Sequence, residues 1–517
     1  MSRRGAVAAG HPATVAAARE ILEDGGNAFD AALSALCATC VAEPVLSSLG
    51  GGGFLMAREA SGRTTLYDFF VATPHARRAT SEIDFHPIQA DFGIATQEFH
   101  VGLGAMATPG LIKGLFHCHR ALGRVPVARL LEPAIHLARE GVALRTVDAY
   151  LFSVVGSILT LSAESRGIFS NETGHLPSKG ETLRFPDLAD TFDALAHEGD
   201  DLFYRGEIGQ RLIAFCRENG GQLTARDLRE YRVDAHPPLD VGYRAARIML
   251  NPPPSSGGIL IAFALKLLAG RDMTELRDAK RAALLAEVMA LTNRARIEEN
   301  LLHALDDPAR DAAAHLLEPA LVRRYAREIK GRPPALRGTT HVSVADAEGN
   351  LAALSISNGE GCGHILPGTG IMLNNMLGED DLNPEGFHRW REGQRMTSMM
   401  CPGIAEQPCG TQIVLGTGGS NRIRTAILQV LIISLDLGMK LREAVEAPRI
   451  HIEGGRANFE DGVPSAVAAA LGERSETPIA WPKHNLFFGG VHAVARRADG
   501  SFDAAGDPRR GGCATLV

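Results

Sequence analysis

A glycine and two threonines, Gly338-Thr339-Thr340, stand at the mouth of a stretch that alternates polar and apolar residues, His341-Val342-Ser343-Val344. The alternation predicts a β-strand; Asp346 to Asn350 supply turn chemistry, and Leu351 to Ser357 predict the returning strand. Immediately upstream lies a loose segment, Gly331-Arg332-Pro333-Pro334. A strand needs no such entrance, but a chain that is cut before Thr339 does. The threonine hydroxyl would then be a nucleophile and its freed α-amine the base. An α-amine has a pKa near 7.7–8.0, so at pH 7.5 roughly a third of it is neutral, against about a thousandth of a lysine with a pKa near 10.4. The plainer alternative is that two good strand formers simply begin a strand.

A second stretch could serve an oxyanion. Gln412-Ile413-Val414-Leu415 reads as a strand that passes through Gly416-Thr417-Gly418-Gly419-Ser420-Asn421 into a helix from about 422 to 437. Backbone N–H groups at such a junction sit at the positive end of the helix dipole and suit a developing negative charge; the alternative is a tight strand–helix turn. Neither this stretch nor the glycines at 50–53 and 257–258 carries a phosphate-binding signature, so no nucleotide cofactor is expected. Cys37-Ala38-Thr39-Cys40 falls on a helical pattern with Leu33 and Leu36 and reads as packed core thiols. Phe116-His117-Cys118-His119 lacks a second ligand half, so no metal is expected.

The elements that must position these residues spread over 517 positions. Residues 12–42 predict two helices, separated by a C-cap signal at Gly25-Gly26 and an N-cap at Asn27. A hairpin is predicted from Phe54 to Phe69 with its turn at Ser61-Gly62. Residues 111–330 read as mostly helical, broken at Pro252-Pro253-Pro254-Ser255-Ser256-Gly257-Gly258 before an apolar helix at 259–268. Past 338 the chain is strand-rich again and closes on Gly506-Asp507-Pro508-Arg509-Arg510. Strands at both ends of a helical middle predict an α+β fold with one sheet system assembled from distant pieces. Net charge is −7 with no basic stripe, which argues against a nucleic-acid partner. The eight cysteines are irregularly spaced, no apolar run reaches the roughly 20 residues of a membrane span, and His11-Pro12 interrupts the N-terminal apolar run. A cytoplasmic protein with no membrane partner is the expectation.

The motifs at 338–344, 373–375 (Leu-Asn-Asn), 252–258, 50–54 and 25–32 (Gly-Gly-Asn-Ala-Phe-Asp-Ala-Ala) together resemble the γ-glutamyltranspeptidases, or glutathione hydrolases, over about residues 5 to 510. The resemblance implies a four-layer αββα sandwich of the N-terminal-nucleophile hydrolase type with a largely helical middle region. It implies a precursor that cuts itself between Gly338 and Thr339. The large subunit, 1–338, and the small subunit, 339–517, would remain one intertwined structural domain. Thr339 would be the nucleophile, and Gly418 and Gly419 the oxyanion-hole glycines. Ser357 and Asn358 would lie near the nucleophile, with Ser355 as the alternative. Glu379, with Asp380 beside it, would grip the substrate's amino group. Ser398 matches the first of two family serines for the substrate carboxylate; the second is Met399, which cannot donate that hydrogen bond. Arg77 or Arg78 is the candidate for the carboxylate-binding arginine, unless both are solvated surface charges.

The expected activity is self-processing γ-glutamyl hydrolysis or transfer, on compounds such as glutathione, through a threonine acyl-enzyme. The alternatives are an amidase or acylase of the same family acting on another acidic acyl amide, and an unprocessed relative that only binds a ligand. The expected partners are a small-molecule γ-glutamyl or acidic amide substrate and the two subunits themselves, with a homo-oligomer left open.

Overall fold

Two mixed-origin sheets stack face to face in the computed structural model, which describes residues 3–91, 96–274, 276, 278–301, 311–327, 339–383, 386–453, 456–472, 478–482 and 484–517. Gly338 and the Pro333-Pro334 loop lie outside the described residues. The strands that build the sheets are β1 (Gly5–Ala9), β2 (Gly52–Arg58), β3 (Thr64–Phe69), β4 (Asp234–His236), β5 (Leu239–Tyr243), β6 (Ala246–Leu250), β7 (Thr340–Asp346), β8 (Leu351–Ser357), β9 (Gly403–Glu406), β10 (Gln412–Gly418), β11 (Gly490–Arg496), β12 (Phe502–Ala505) and β13 (Cys513–Leu516). The first sheet has seven strands in the order β13-β1-β7-β8-β2-β3-β4; the second has six, β12-β11-β10-β9-β6-β5. Helices α1 (Pro12–Glu23) and α2 (Ala28–Ala42) cover the outer face of the first sheet, and α3 (Ser256–Leu268) and α4 (Arg422–Leu435) pack together over the second. The result is helix, sheet, sheet, helix.

The period-two pattern of β7 and β8 explains the layering. Val342 and Val344, with Ala352, Leu354 and Ile356, join the core beneath α2. Ala345, Leu351 and Ala353 join the core between the sheets. His341, Ser343, Ser355 and Ser357 share the parity of that second set, so they point toward the second sheet. The α1–α2 junction follows the predicted chemistry: Gly25 takes φ +91°, and Asn27 caps α2 in a capping box with Asp30. Both cysteines at 37 and 40 are buried free thiols within α2, and burial pushes each upward. Among the described residues no cluster of metal-ligating side chains occurs, and no helix is long and apolar enough to cross a membrane.

The helical reading of the middle needs one correction. It contains β4, β5 and β6, which complete the edges of both sheets. In β5, Leu239, Val241 and Tyr243 alternate with Asp240 and Gly242 for only five residues, too short a run to stand out from the helical patterns around it.

The closing motif at 506–510 forms a buried ionic knot. Asp507 meets Arg449 at 2.6 Å and Arg509 at 3.2 Å, and accepts the Val491 N–H at 2.9 Å. Burial pushes the Asp507 acid up, but the two guanidinium groups outweigh it and hold it below the usual carboxylate range. Asp507→Asn is expected to lower stability by about 3–5 kcal/mol in urea unfolding at pH 7, because Arg449 is left buried with its charge uncompensated. A depressed folded value means the wild-type contribution is present above the unfolded value of about 3.9 and drains as pH falls below it. The difference between wild type and variant should therefore shrink on acidification.

Candidate active site

β7 begins at Thr340, whose Cα partner is Ile356. One step further back, Thr339 comes beside Ser357, and both line a cleft of about 520 Å³ that is continuous with solvent. Thr339 is only 5% exposed. Its backbone is gripped from two sides. Arg510 Nη1 donates to the Thr339 carbonyl at 3.1 Å, and Gly418, the last residue of β10, lies so close that a Cβ there would fall 1.7 Å from the same oxygen. Its neighbour Thr340 donates its hydroxyl to the fully buried Glu43 at 2.9 Å, anchoring the strand end to α2. Thr339 is thus held by its backbone at a fixed point just before the interior strand β7, with its side chain at the cleft.

Gly418 and Gly419 occupy the predicted strand–helix junction. Gly419 takes φ +124° and Ser420 φ +49°, so the chain turns in the left-handed region before α4 starts at Arg422. Ser420 and Asn421 line the cleft beside them. Asn421 is 1% exposed, and neither atom of its amide has a hydrogen-bond partner among the described residues. A buried, unsatisfied amide in a cleft is a group waiting for a ligand or water.

The opposite wall is built by the 252–258 motif. Ser398 carbonyl oxygen accepts Ser256 N–H at 2.8 Å and Ser255 hydroxyl at 2.9 Å, while Thr397 hydroxyl donates to Pro254 O at 2.8 Å. Gly257 lets the segments touch, since a Cβ there would meet Met399 O at 2.1 Å. The motif is therefore a bracket for residues 397–400. It also brings Ser256, Thr397, Ser398 and Met399 to the cleft together. The Asn374-Asn375 pair is a second bracket: Asn374 donates to Gly50 O at 2.8 Å and Ala107 O at 2.9 Å, and Asn375 accepts Glu360 N–H at 3.0 Å.

Several predicted site residues are relocated. Glu379 lines the cleft, but Asp380 is exposed and turns away; Asp381 takes its place and accepts the Ser420 hydroxyl at 3.1 Å. A short 3₁₀ turn at Asp380–Leu382 carries every side chain to a new direction, so adjacency in sequence could not decide between the two aspartates. Arg77 and Arg78 do not reach the cleft. Arg77 lies over the Trp390 ring at 5.5 Å and Arg78 donates to Arg217 O at 2.9 Å. Among the described residues the arginine that lines the cleft is Arg296, near the end of the helix Asp278–Glu298. Nothing local marks Arg296; only the packing of its helix brings it there. Ser355 is also excluded as a cleft residue. Its hydroxyl is bonded to His341 Nδ1 at 2.8 Å between the sheets, and the other ring nitrogen meets Ser343 at 3.0 Å. Burial holds His341 well below its ordinary value, so it stays a neutral packing element. Asn358 is fully buried beside the cleft and does not line it; its amide has no hydrogen-bond partner among the described residues.

Among the described residues the cleft thus collects Thr339, the carboxylates of Glu379 and Asp381, the Arg296 guanidinium, several hydroxyls, the Asn421 amide and three methionines, with the Gly418-Gly419 turn next to Ser420. A family profile described as gamma-glutamyltranspeptidase matches residues 14–517. "Acylase ACY 1 proenzyme" of Pseudomonas sp. (strain SE83) is 32% identical over 97% of this chain and 91% of its own length. "Glutathione hydrolase proenzyme" of Pseudomonas sp. (strain A14) is 31% identical over 84% and 78% respectively. The crystal structure of cephalosporin acylase from Bacillus halodurans superposes with a TM-score of 0.86 at 24% identity, covering 99% of this chain and 96% of the other, a likeness of fold.

Proposed function

The chain belongs to the gamma-glutamyltranspeptidase family of N-terminal-nucleophile amidohydrolases and acyltransferases, and from that premise we propose that it is a self-processing enzyme that cleaves γ-glutamyl amides through Thr339. The precursor cuts itself between Gly338 and Thr339 by attack of the Thr339 hydroxyl on the Gly338 carbonyl, followed by hydrolysis of the ester. The large subunit is 1–338 and the small subunit 339–517. In turnover the Thr339 hydroxyl attacks the substrate amide carbonyl and passes its proton to the α-amine. The Gly418-Gly419 backbone faces the oxyanion of the tetrahedral intermediate. Collapse breaks the C–N bond, the α-ammonium protonates the leaving amine, and water or an acceptor amine then releases the acyl group.

The observation that carries the γ-glutamyl reading is the opposition of charge around Thr339. Glu379 and Asp381 line the same cleft as Arg296 and Ser398. A γ-glutamyl head is zwitterionic and offers an ammonium to the first pair and a carboxylate to the second. An acyl group without the amine would bring no cation to Glu379 and Asp381. Arg296→Gln is expected to raise KM for γ-glutamyl-p-nitroanilide about tenfold, or about 1.4 kcal/mol, with kcat little changed. The test of the whole reading compares γ-glutamyl- with glutaryl-p-nitroanilide and sequences the small fragment. Faster glutaryl hydrolysis overturns the substrate; a fragment that begins anywhere but Thr339 overturns the nucleophile.

A second reading, hydrolysis of an acidic acyl amide that lacks the amine, has its own support in Met399. This residue lines the cleft where the family's second serine is expected, and its sulfur receives the Ser256 hydroxyl at 3.7 Å. If Met399 narrows the choice of head group, Met399→Ser raises kcat/KM for the γ-glutamyl substrate over the glutaryl one by about tenfold, the worth of one hydrogen bond to a charged group.

A further inference from the structure

Behind the nucleophile lies a second cavity that the proposed chemistry does not use. It has two lobes, one of about 620 Å³ and one of about 410 Å³, which share Val45, Leu46, Leu151, Leu486 and Arg510 as walls. The larger lobe is completed by Val154, Val155, Trp481 and Phe487, with Tyr150 partly exposed at 37%. Such walls are those of small-molecule sites, which combine an apolar lining with a few placed polar groups.

The placed group is Arg510. It is 8% exposed, and its Nε has no hydrogen-bond partner among the described residues. Its Nη1 donates to the carbonyl of Thr339, so this one side chain touches both the cavity and the nucleophile's backbone. Burial draws the guanidinium down to about 10, still well above neutral pH, so it remains a cation. Glu43, Asp507 and Glu360 are the acids that act on Arg510, and Asp507 is bound to Arg449 and Arg509. Asp148 is paired with Arg145 at 2.8 Å. Glu43 accepts the hydroxyls of Thr340 and Thr14 and is pushed up by its burial, toward the neutral acid. Glu360 is buried at the larger lobe, where the equally buried Arg422 offers a second cation and donates its Nε to Phe487 O at 2.9 Å.

From these observations we infer that the cavity is a binding site for a small amphipathic carboxylate, whose apolar body fills the lobes lined by Val45, Leu151 and Leu486 and whose carboxylate meets Arg510. Buried arginine favours a planar anion with two acceptor oxygens, and the apolar lining selects a hydrocarbon body over a sugar or a peptide backbone. Because Arg510 also holds the Thr339 carbonyl, a bound carboxylate competes for that guanidinium and loosens the nucleophile. The ligand therefore lowers kcat and leaves KM for the cleft substrate unchanged. This kinetic consequence rests on the function proposed above; the binding itself does not.

The chain has two tryptophans, Trp390 and Trp481, and only Trp481 lines this cavity. In a Trp390→Phe background, titration with octanoate is expected to change Trp481 emission saturably, and 1-octanol, which has the same body without the charge, should bind at least about tenfold more weakly. Leu151→Phe, or Val45→Phe should the first fail to fold, fills both lobes and should abolish the response. No saturable change, an equal response to octanol, or a response that survives in a folded lobe-filling variant overturns the site. Octanoate should also lower kcat for γ-glutamyl-p-nitroanilide at constant KM; inhibition that raises KM alone would place the carboxylate in the catalytic cleft and overturn the coupling. Fluorescence binding without any amidase activity would count against the proposed function and leave this site standing.

Discussion

Thr339→Ala should run as a single full-length band after prolonged incubation and should hydrolyse γ-glutamyl-p-nitroanilide at least about 10⁴-fold more slowly than the wild type, the scale on which other hydrolases lose turnover when their nucleophile is removed. Both effects come from one hydroxyl. In the mechanism proposed above it attacks the preceding carbonyl in the precursor and the substrate amide in the mature enzyme. The alanine chain should still fold, because Thr339 is held through its backbone carbonyl by Arg510 and through its neighbour Thr340 by Glu43, and neither contact uses the deleted atoms. Thr339→Ser restores a hydroxyl in the same place and should recover both processing and part of the turnover. An alanine variant that still releases a fragment starting at residue 339 would assign the cut to another group.

Gly418→Ala is the second large effect. The added methyl carbon would fall 1.7 Å from the Thr339 carbonyl oxygen and 3.2 Å from Arg510 Nη1. The first neighbour is backbone, so the threonine or the β10 end must move. A shift of even 1 Å at a nucleophile costs on the order of 10²-fold, and the same movement disturbs the donors proposed for the oxyanion. A drop in kcat of about 10²–10³-fold is expected, with incomplete processing visible on a denaturing gel. Gly472→Ala is the control, since a Cβ there meets nothing within 4 Å. A Gly418→Ala enzyme with unchanged kcat would show that this glycine does not bear on the chemistry.

The parts of the fold that could be read from sequence are those decided by local chemistry. Gly25, with its positive φ, and Asn27, with its capping box, marked the α1–α2 break. Period-two alternation marked β7 and β8, and with it the face on which Ser357 stands. Placement was legible where a motif is its own scaffold, as at Thr339 before β7 and at the Gly418-Gly419 turn before α4. It was not legible where distant pieces converge. Arg296 reaches the cleft because a whole helix packs there, while Arg77 and Arg78, nearer to a familiar position, are taken up by Trp390 and the Arg217 carbonyl. Asp381 replaced Asp380 because one turn of 3₁₀ geometry decides which of two neighbours faces inward. Ser256 lies in the 252–258 motif, but its bracing role became visible only with its carbonyl partner in place.

The seven-strand order has a consequence for what a break in the chain could do. β1, from the first part of the sequence, lies between β13 and β7 from the last part, and β8 pairs directly with β2. Three ladders therefore join residues before position 338 to residues after it within this one sheet. Scission at that position severs a covalent tie but removes no ladder. Under the proposed cleavage, two pieces so interlaced would share a single cooperative melt, would not trade places with pieces from other molecules, and would gain a free amine at the end of a central strand without giving up the rigidity that aims it.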